Sequence, residues 1–188
     1  MRKLIYSMGV SLDGFIAGPD GEIDWGAPDE ELHRFHNQQV RELGGHLLGR
    51  RLYEVMSYWE TAEEELSDDY RIEFARIWKA LPKVVFSKTL EKVEGHARLA
   101  RDGVAEEVAR LKEQPGKDLA VGGAGLASTC MKLGLIDECR LFVSPVVLGG
   151  GTPYFPALDE RIDLELVETR TFGSRVVYLR YRLAEAGR

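Results

Sequence analysis

Short alternations of apolar and polar residues give way repeatedly to longer stretches with apolar residues three or four apart, and that change of period predicts strands and helices in turn. Strand character falls at residues 4–10, 46–48, 84–87, 119–121 and 140–147. Between the first two runs, Leu32, Phe35, Gln39, Val40 and Leu43 make one stripe. Asp29, Glu30 and Glu31 stand at its start, where carboxylates suit the positive end of a helix. Tyr70, Phe74, Ile77, Trp78 and Leu81 set a second helix over 69–80, which Pro82 stops. A third helix is expected over 104–112, with Asp102 as its cap and Pro115-Gly116 as its terminator, and a fourth over 126–133. Strands alternating with helices argue for an α/β fold. The pattern changes at Leu164: residues 164–171 and 175–183 alternate like two strands around Phe172-Gly173-Ser174, so an antiparallel hairpin should lie at one end of the sheet. No repeat or linker interrupts the sequence, and one domain over residues 1–188 is expected.

A net charge of −6 opposes binding to nucleic acid or to an anionic membrane surface, which favour basic proteins. No apolar run approaches the roughly 20 residues of a bilayer span, and Met1-Arg2-Lys3-Leu4-Ile5 leads straight into a strand. A cytoplasmic protein with a small-molecule partner is the expectation. Cys130 falls in a helix and Cys139 near a strand start, without metal-ligand or disulfide spacing, which reads as two quiet core thiols. His33 and His36 share a helix face at i, i+3, but no third ligand accompanies them, so no metal is expected. The acidic residues Glu63-Glu64-Glu65 and Asp68-Asp69 read as a solvated loop and a helix start.

Three strand ends carry residues suited to phosphate: Gly49-Arg50-Arg51, Ser87-Lys88-Thr89 and Gly122-Gly123-Ala124-Gly125. Glycines let a backbone approach an anion closely, and a helix start offers free N–H groups. Ligands of open α/β sheets bind beyond the carboxyl ends of the strands, so parallel strands would bring all three loops to one edge. Arg50 and Arg51 also stand at the expected start of a helix over 52–58, where cations are unfavourable unless an anion offsets them. The nucleotide-triphosphatase loop is absent, and Ser11-Leu12-Asp13-Gly14-Phe15 follows the first strand in place of a Rossmann glycine fingerprint. Asp13 is a turn residue by its Asp-Gly pairing and, lying beside the segment that follows, the candidate acid for substrate. Tyr53 and Tyr58 read as packing residues.

Taken in order, Ser11-Leu12-Asp13-Gly14-Phe15-Ile16-Ala17, Leu48-Gly49-Arg50-Arg51-Leu52-Tyr53, Val85-Phe86-Ser87-Lys88-Thr89, Val121-Gly122-Gly123-Ala124-Gly125-Leu126, Gly134-Leu135-Ile136-Asp137-Glu138 and Pro145-Val146-Val147-Leu148-Gly149-Gly150-Gly151 resemble the dihydrofolate reductase superfamily. The branch containing the reductase domain of riboflavin biosynthesis is the nearest in pattern. The resemblance implies a three-layer α/β fold with a mostly parallel central sheet, and NADPH as cofactor. It implies that Gly49, Arg50, Arg51 and Leu52 hold the adenosine phosphate side, and that Phe86, Ser87 and Lys88 flank the adenine and ribose phosphate. Gly122, Gly123, Ala124, Gly125 and Leu126 would take the pyrophosphate, with a cis bond between Gly122 and Gly123. The segment from Ile16 to Trp25 matches a mobile flap, placing Ala17 near the cofactor, and Trp25 and Asp13 near substrate. Relatives often pair, so a homodimer is expected, with the strand at 140–147 as a candidate interface.

Two departures narrow the activity. Phe15 stands where the riboflavin branch has a basic residue, and no acid on the first long helix matches the folate motif. An NADPH-dependent reductase of a small heterocyclic or carbonyl compound, pterin- or pyrimidine-like, is the leading expectation. The alternatives are an NADPH-binding sensor or scaffold of the same fold without turnover, and a phosphate-ester binder unrelated to nicotinamide.

Overall fold

The computed structural model describes residues 1–184. The chain runs β1 (Leu4–Ser11), β2 (Phe15–Ala17), α1 (Glu30–Arg41), β3 (Gly45–Gly49), α2 (Arg50–Met56), α3 (Asp69–Ala80), β4 (Lys83–Phe86), β5 (Ala97–Leu99), α4 (Val104–Glu113), β6 (Leu119–Gly122), α5 (Ala124–Lys132), β7 (Glu138–Ser144), β8 (Thr152–Pro153), β9 (Leu164–Thr171) and β10 (Val177–Leu183). Eight strands form one sheet in the order β5-β4-β3-β6-β1-β7-β10-β9. The first six in that order are parallel, and β10 and β9 close it as an antiparallel pair. Strands β2 and β8 make a separate ribbon.

Both faces of the parallel part are covered, which is why its strands read as nearly continuous apolar runs. Successive residues of β3 show the division. Leu47 packs with Val108 and Leu111 of α4 and with Leu126, Cys130 and Met131 of α5. Leu48 packs on the other side with Phe74 and Trp78 of α3. Both leucines are fully buried, each contributing roughly 1.5–3 kcal/mol. Helix α1 lays Leu32 and Phe35 against Phe142 and Tyr178 on that same side, giving three layers. Asp29 caps α1 by accepting from the Leu32 N–H at 2.9 Å, as its position ahead of two glutamates suggests.

Helix 69–80 and strand 164–171 fall where the periodicity puts them. Other boundaries differ for identifiable reasons. Gly103, not Asp102, is the N-cap of α4, because Asp102 turns to accept from Arg110 at 2.8 Å. Helix α5 starts at Ala124, two residues before Leu126, and α2 starts at Arg50. The run at 140–147 is strand only as far as Ser144; β7 begins at Glu138 and has both edges filled, by β1 and β10, so it has no free edge to offer a second copy. Strands β2, β5 and β8 are two or three residues long, too short to leave a period. Glu63, expected in a solvated loop, instead holds Arg76 and Lys79 of α3 at 2.7 and 3.0 Å. Both cysteines are buried, and burial pushes the Cys130 thiol up to about 12 and Cys139 to about 11, keeping them protonated.

Candidate active site

Adjacent parallel strands place their carboxyl ends side by side. Gly49 of β3 lies level with Phe86 of β4, and Leu48 lies level with Gly122 of β6. The three loops anticipated at one edge therefore converge there. A Cβ built on Gly123 would stand 3.6 Å from the Gly49 nitrogen and 3.7 Å from its Cα, so the two turns abut through backbone. At Gly122 a Cβ would collide with the Leu52 side chain. Gly123 has φ +94°, where a side chain is strained, and caps α5 without any side-chain acceptor. The first N–H groups of this nine-residue helix, with no acidic residue in its first turn, are thus left for an outside acceptor. Ala124, Gly125 and Leu126 form that first turn. No peptide bond among the described residues is cis, so the cis link expected at Gly122-Gly123 is not found, and the positive φ of Gly123 makes the turn.

Beside this cradle Arg50 donates to Thr89 at 2.7 Å and to Glu54 at 2.8 Å, bridging the first two loops. The Ser87 hydroxyl accepts from the N–H groups of Thr89 and Leu90, which fixes the turn that carries Lys88. Arg51 and Lys88 are exposed. The Tyr53 hydroxyl accepts from the Glu94 N–H at 2.8 Å, so this ring ties α2 to the segment after β4.

The flap is tied down at its base. One Asp13 carboxylate oxygen accepts from the Ser11 hydroxyl at 2.7 Å and from the Leu148 N–H at 3.1 Å, and the other accepts from the Gly149 N–H at 2.7 Å. The serine hydroxyl, helped by those N–H groups, holds the Asp13 carboxyl below its ordinary value. Gly151 meets the flap so closely that a Cβ there would collide with the Ala17 carbonyl oxygen. Ala17 itself pairs with Thr152. Trp25 sits half-buried at the far end, its indole N–H donating to the Glu22 carbonyl at 3.1 Å.

Next to the glycine edge, between α1 and the sheet, lies a cavity of about 330 Å³. Its floor is Ile5, Ser7 and Gly9 of β1 with Ala120, His46, Arg140 and Phe142 of the neighbouring strands. Its walls are His33, His36, Gln39 and Val40 of α1, Met56 of α2 and Trp59 after it, and Phe74 and Trp78 of α3. Leu52 belongs to both regions, packing on Gly122-Gly123 while lining the cavity. Above Gly9 a Cβ would meet nothing within 4 Å, which marks the open space. Among the sequence-predicted site residues only Leu52 lines this cavity; Asp13, Ala17 and Trp25 stand outside its lining.

Burial keeps the cavity imidazoles neutral. It lowers His36 and His46 to about 4, and His33 shifts the same way. Asn37 donates to the Tyr70 carbonyl and to Glu73, so its oxygen faces His33 at 3.2 Å, and His33 Nδ1 must carry the proton. His46 Nδ1 is buried without a partner among the described residues. No grouping of three or more potential metal-ligating His, Cys, Asp or Glu residues occurs among the described residues. No helix there is long and apolar enough to cross a membrane.

Comparison with known proteins places these features in a family. The model described as RibD C-terminal domain matches residues 2–178. The uncharacterized protein YyaP of Bacillus subtilis (strain 168) is 39% identical over 181 residues, covering 96% of this chain and 94% of that protein. A putative riboflavin biosynthesis protein from Shewanella sp. PV-4 superposes with a TM-score of 0.76 at 23% identity, over 98% of this chain and 100% of that one. Dihydrofolate reductase from Enterococcus faecalis, complexed with NADP(H), superposes with a TM-score of 0.62 at 17% identity over 97% of each chain. The fold is that of dihydrofolate reductase.

Proposed function

Since the chain belongs to the RibD C-terminal domain family, we propose that it is an NADPH-dependent reductase of a small heterocyclic or carbonyl substrate. The observation that carries this reading is the contact of the Gly49 and Gly122-Gly123 turns beside an apolar cavity. A backbone cradle with an uncapped helix start fits a pyrophosphate, and three cations around it, Arg50, Arg51 and Lys88, fit the additional phosphate of NADPH. Phe86 and Ser87 would flank the adenosine, and Ala17 would border the nicotinamide from the flap. The reductase with bound NADP(H) shares this fold and supports the cofactor assignment.

Bound NADPH would supply a hydride to an electrophilic carbon held in the cavity. The chain's own part is alignment and exclusion of water: Leu52 separates cradle from cavity, and the aromatic walls hold a flat ring. The balancing proton goes to the heteroatom of the reduced bond from solvent, because among the described residues no carboxylate lines the cavity and its imidazoles are neutral. Asp13, ionised and bound to Ser11, Leu148 and Gly149, positions the flap base. A homodimer belongs to the proposal, and light scattering at micromolar concentration checks it.

Titration of NADPH and NADH tests the cofactor. NADPH should bind tighter, and Arg50→Ala and Arg51→Ala should each weaken it about tenfold, the size of one charge-assisted hydrogen bond, while NADH is unaffected. Equal affinity for the two cofactors, unchanged in both variants, would overturn the phosphate assignment. NADPH binding without oxidation against pterins, pyrimidines and quinones would leave the sensor or scaffold reading in its place.

A further inference from the structure

Within the cavity one side chain carries a full charge that nothing in the reductase reading uses. Arg140 lines the floor of the cavity, opposite Ser7 on β1, with 9% of its side chain exposed. Its Nε donates to Glu138 at 2.7 Å and its Nη1 donates to Gln39. Nη2 has no hydrogen-bond partner among the described residues. A guanidinium this enclosed with an N–H pair to spare is a recognition group awaiting an acceptor.

The surroundings fix the sign of that acceptor. Glu138 is buried and shared: Arg180 binds it at 2.8 and 3.0 Å, and Lys3 approaches to 3.8 Å. One enclosed carboxylate thus faces three cations, with Glu168 at 3.7 Å from Arg180 on the outer side. Among the described residues no Asp or Glu lines the cavity, and its histidines are uncharged. An anionic or carbonyl oxygen would be stabilised there, and a cationic group would be repelled.

Position along the strand sets the shape. Arg140 lies two residues before Phe142, which is level with Gly9, so its Cα lies about 7 Å along the strand from the open space above Gly9. We propose that Arg140, held in place by Glu138 and Gln39, is the specificity-determining residue of the cavity. It selects flat apolar ring compounds that carry an acceptor oxygen, carboxylate or ring carbonyl, on the edge remote from the reduced carbon. The proposal rests on the cavity's being the substrate site of the reductase.

Calorimetric titration of the cofactor-free chain with 2-naphthoate, 2-naphthamide and 2-naphthylmethylammonium tests it. These probes share one ring system and differ in charge. Naphthoate should bind tightest, the amide next, and the cation at least tenfold weaker than naphthoate. In Arg140→Met the preference should collapse to within about twofold. Arg140→Lys, which keeps a charge beside Glu138 should the methionine variant not fold, should retain a preference reduced severalfold. Gly9→Ile, filling the open space, should abolish binding of all three. Equal affinity for anion and cation, no binding of any probe, a preference surviving Arg140→Met, or naphthoate binding untouched by Gly9→Ile would each overturn the proposal. NADPH is absent from these titrations, so their failure is separate from a failure of the cofactor assignment.

Discussion

The glycine edge and the cavity lie on either side of Leu52, yet they are built by opposite means. The edge is backbone: abutting glycines, an uncapped helix start and exposed cations on short loops. The cavity is side chain: aromatic rings, imidazoles and one enclosed arginine drawn from four strands and the α1, α2 and α3 regions. A site made of backbone constrains a few residues absolutely and is indifferent to its surroundings. A site made of side chains can be reshaped without touching the fold. Such a division would let one scaffold keep a cofactor while changing substrate.

Acid should affect the cavity first and most. His36 and His46 have folded pKa values of about 4, below the ordinary 6.5, because burial disfavours the charged ring. The unfolded chain therefore takes up protons below pH 6.5 that the native chain refuses, and stability falls with pH through that window. Between pH 6.5 and about 5.5 the paired carboxylates Glu107 and Glu138, whose pKa values are themselves lowered from 4.5, stay almost wholly ionised in both states. The slope there belongs to the histidines, at most about 1.4 kcal/mol per pH unit for each ring. Urea unfolding at several pH values should show it, and His36→Leu should make the slope shallower. An identical slope in that variant would mean that His36 is solvated.

Next in size is a pair of glycine substitutions that separates the two regions directly. Gly123→Val puts a branched side chain at φ +94°, against the Gly49 backbone. Strain of this kind costs on the order of 1–3 kcal/mol, so NADPH affinity should drop roughly tenfold to a hundredfold. Gly9→Ile adds a larger side chain where nothing lies within 4 Å, on a strand that favours β-branching. Stability should hold or rise slightly, NADPH affinity should stay within about twofold, and ring-ligand binding should vanish. Loss of NADPH to the same extent in both variants would show that edge and cavity are not separable.

The same contrast explains what could be read before the fold was known. The layers, the terminal hairpin and the three glycine- or cation-bearing loops are legible in the sequence, since each loop is contiguous and glycine or a cation at a strand end has a local reason to be there. The level alignment of Gly49 with Phe86 needed only parallel neighbours. The cavity was not legible. Ser7 and Gly9 belong to it because alternate residues of β1 face α1, and Arg140 because β7 lies beside β1 in a register no local pattern announces. His33 and His36 stand as a pair at helical spacing in the sequence, but only the packing of α1 over the sheet shows that they line a cavity. The sequence reads Asp13 as a turn residue and a candidate acid for substrate, and its three hydrogen bonds, to Ser11, Leu148 and Gly149, leave no local trace because two partners lie about 135 residues away.

The smallest expected effect concerns that residue, which belongs to neither region and links both to the flap. Asp13→Asn keeps one acceptor and loses the charge, weakening the tether to Leu148 and Gly149 without altering the glycine cradle. Because the carboxyl is held below its ordinary pKa, the tether is present at neutral pH and is lost only as pH falls through the folded value. At pH 7 the variant should bind NADPH like the parent and turn over more slowly, by less than about fivefold, as fits an exposed hydrogen-bonded turn. Its rate should also be less sensitive to acid below about pH 3.8, since the group that would release there is gone. A loss of activity of several hundredfold with unchanged NADPH affinity would make Asp13 a direct participant in the chemistry, and flap positioning would then be the wrong account of its hydrogen bonds.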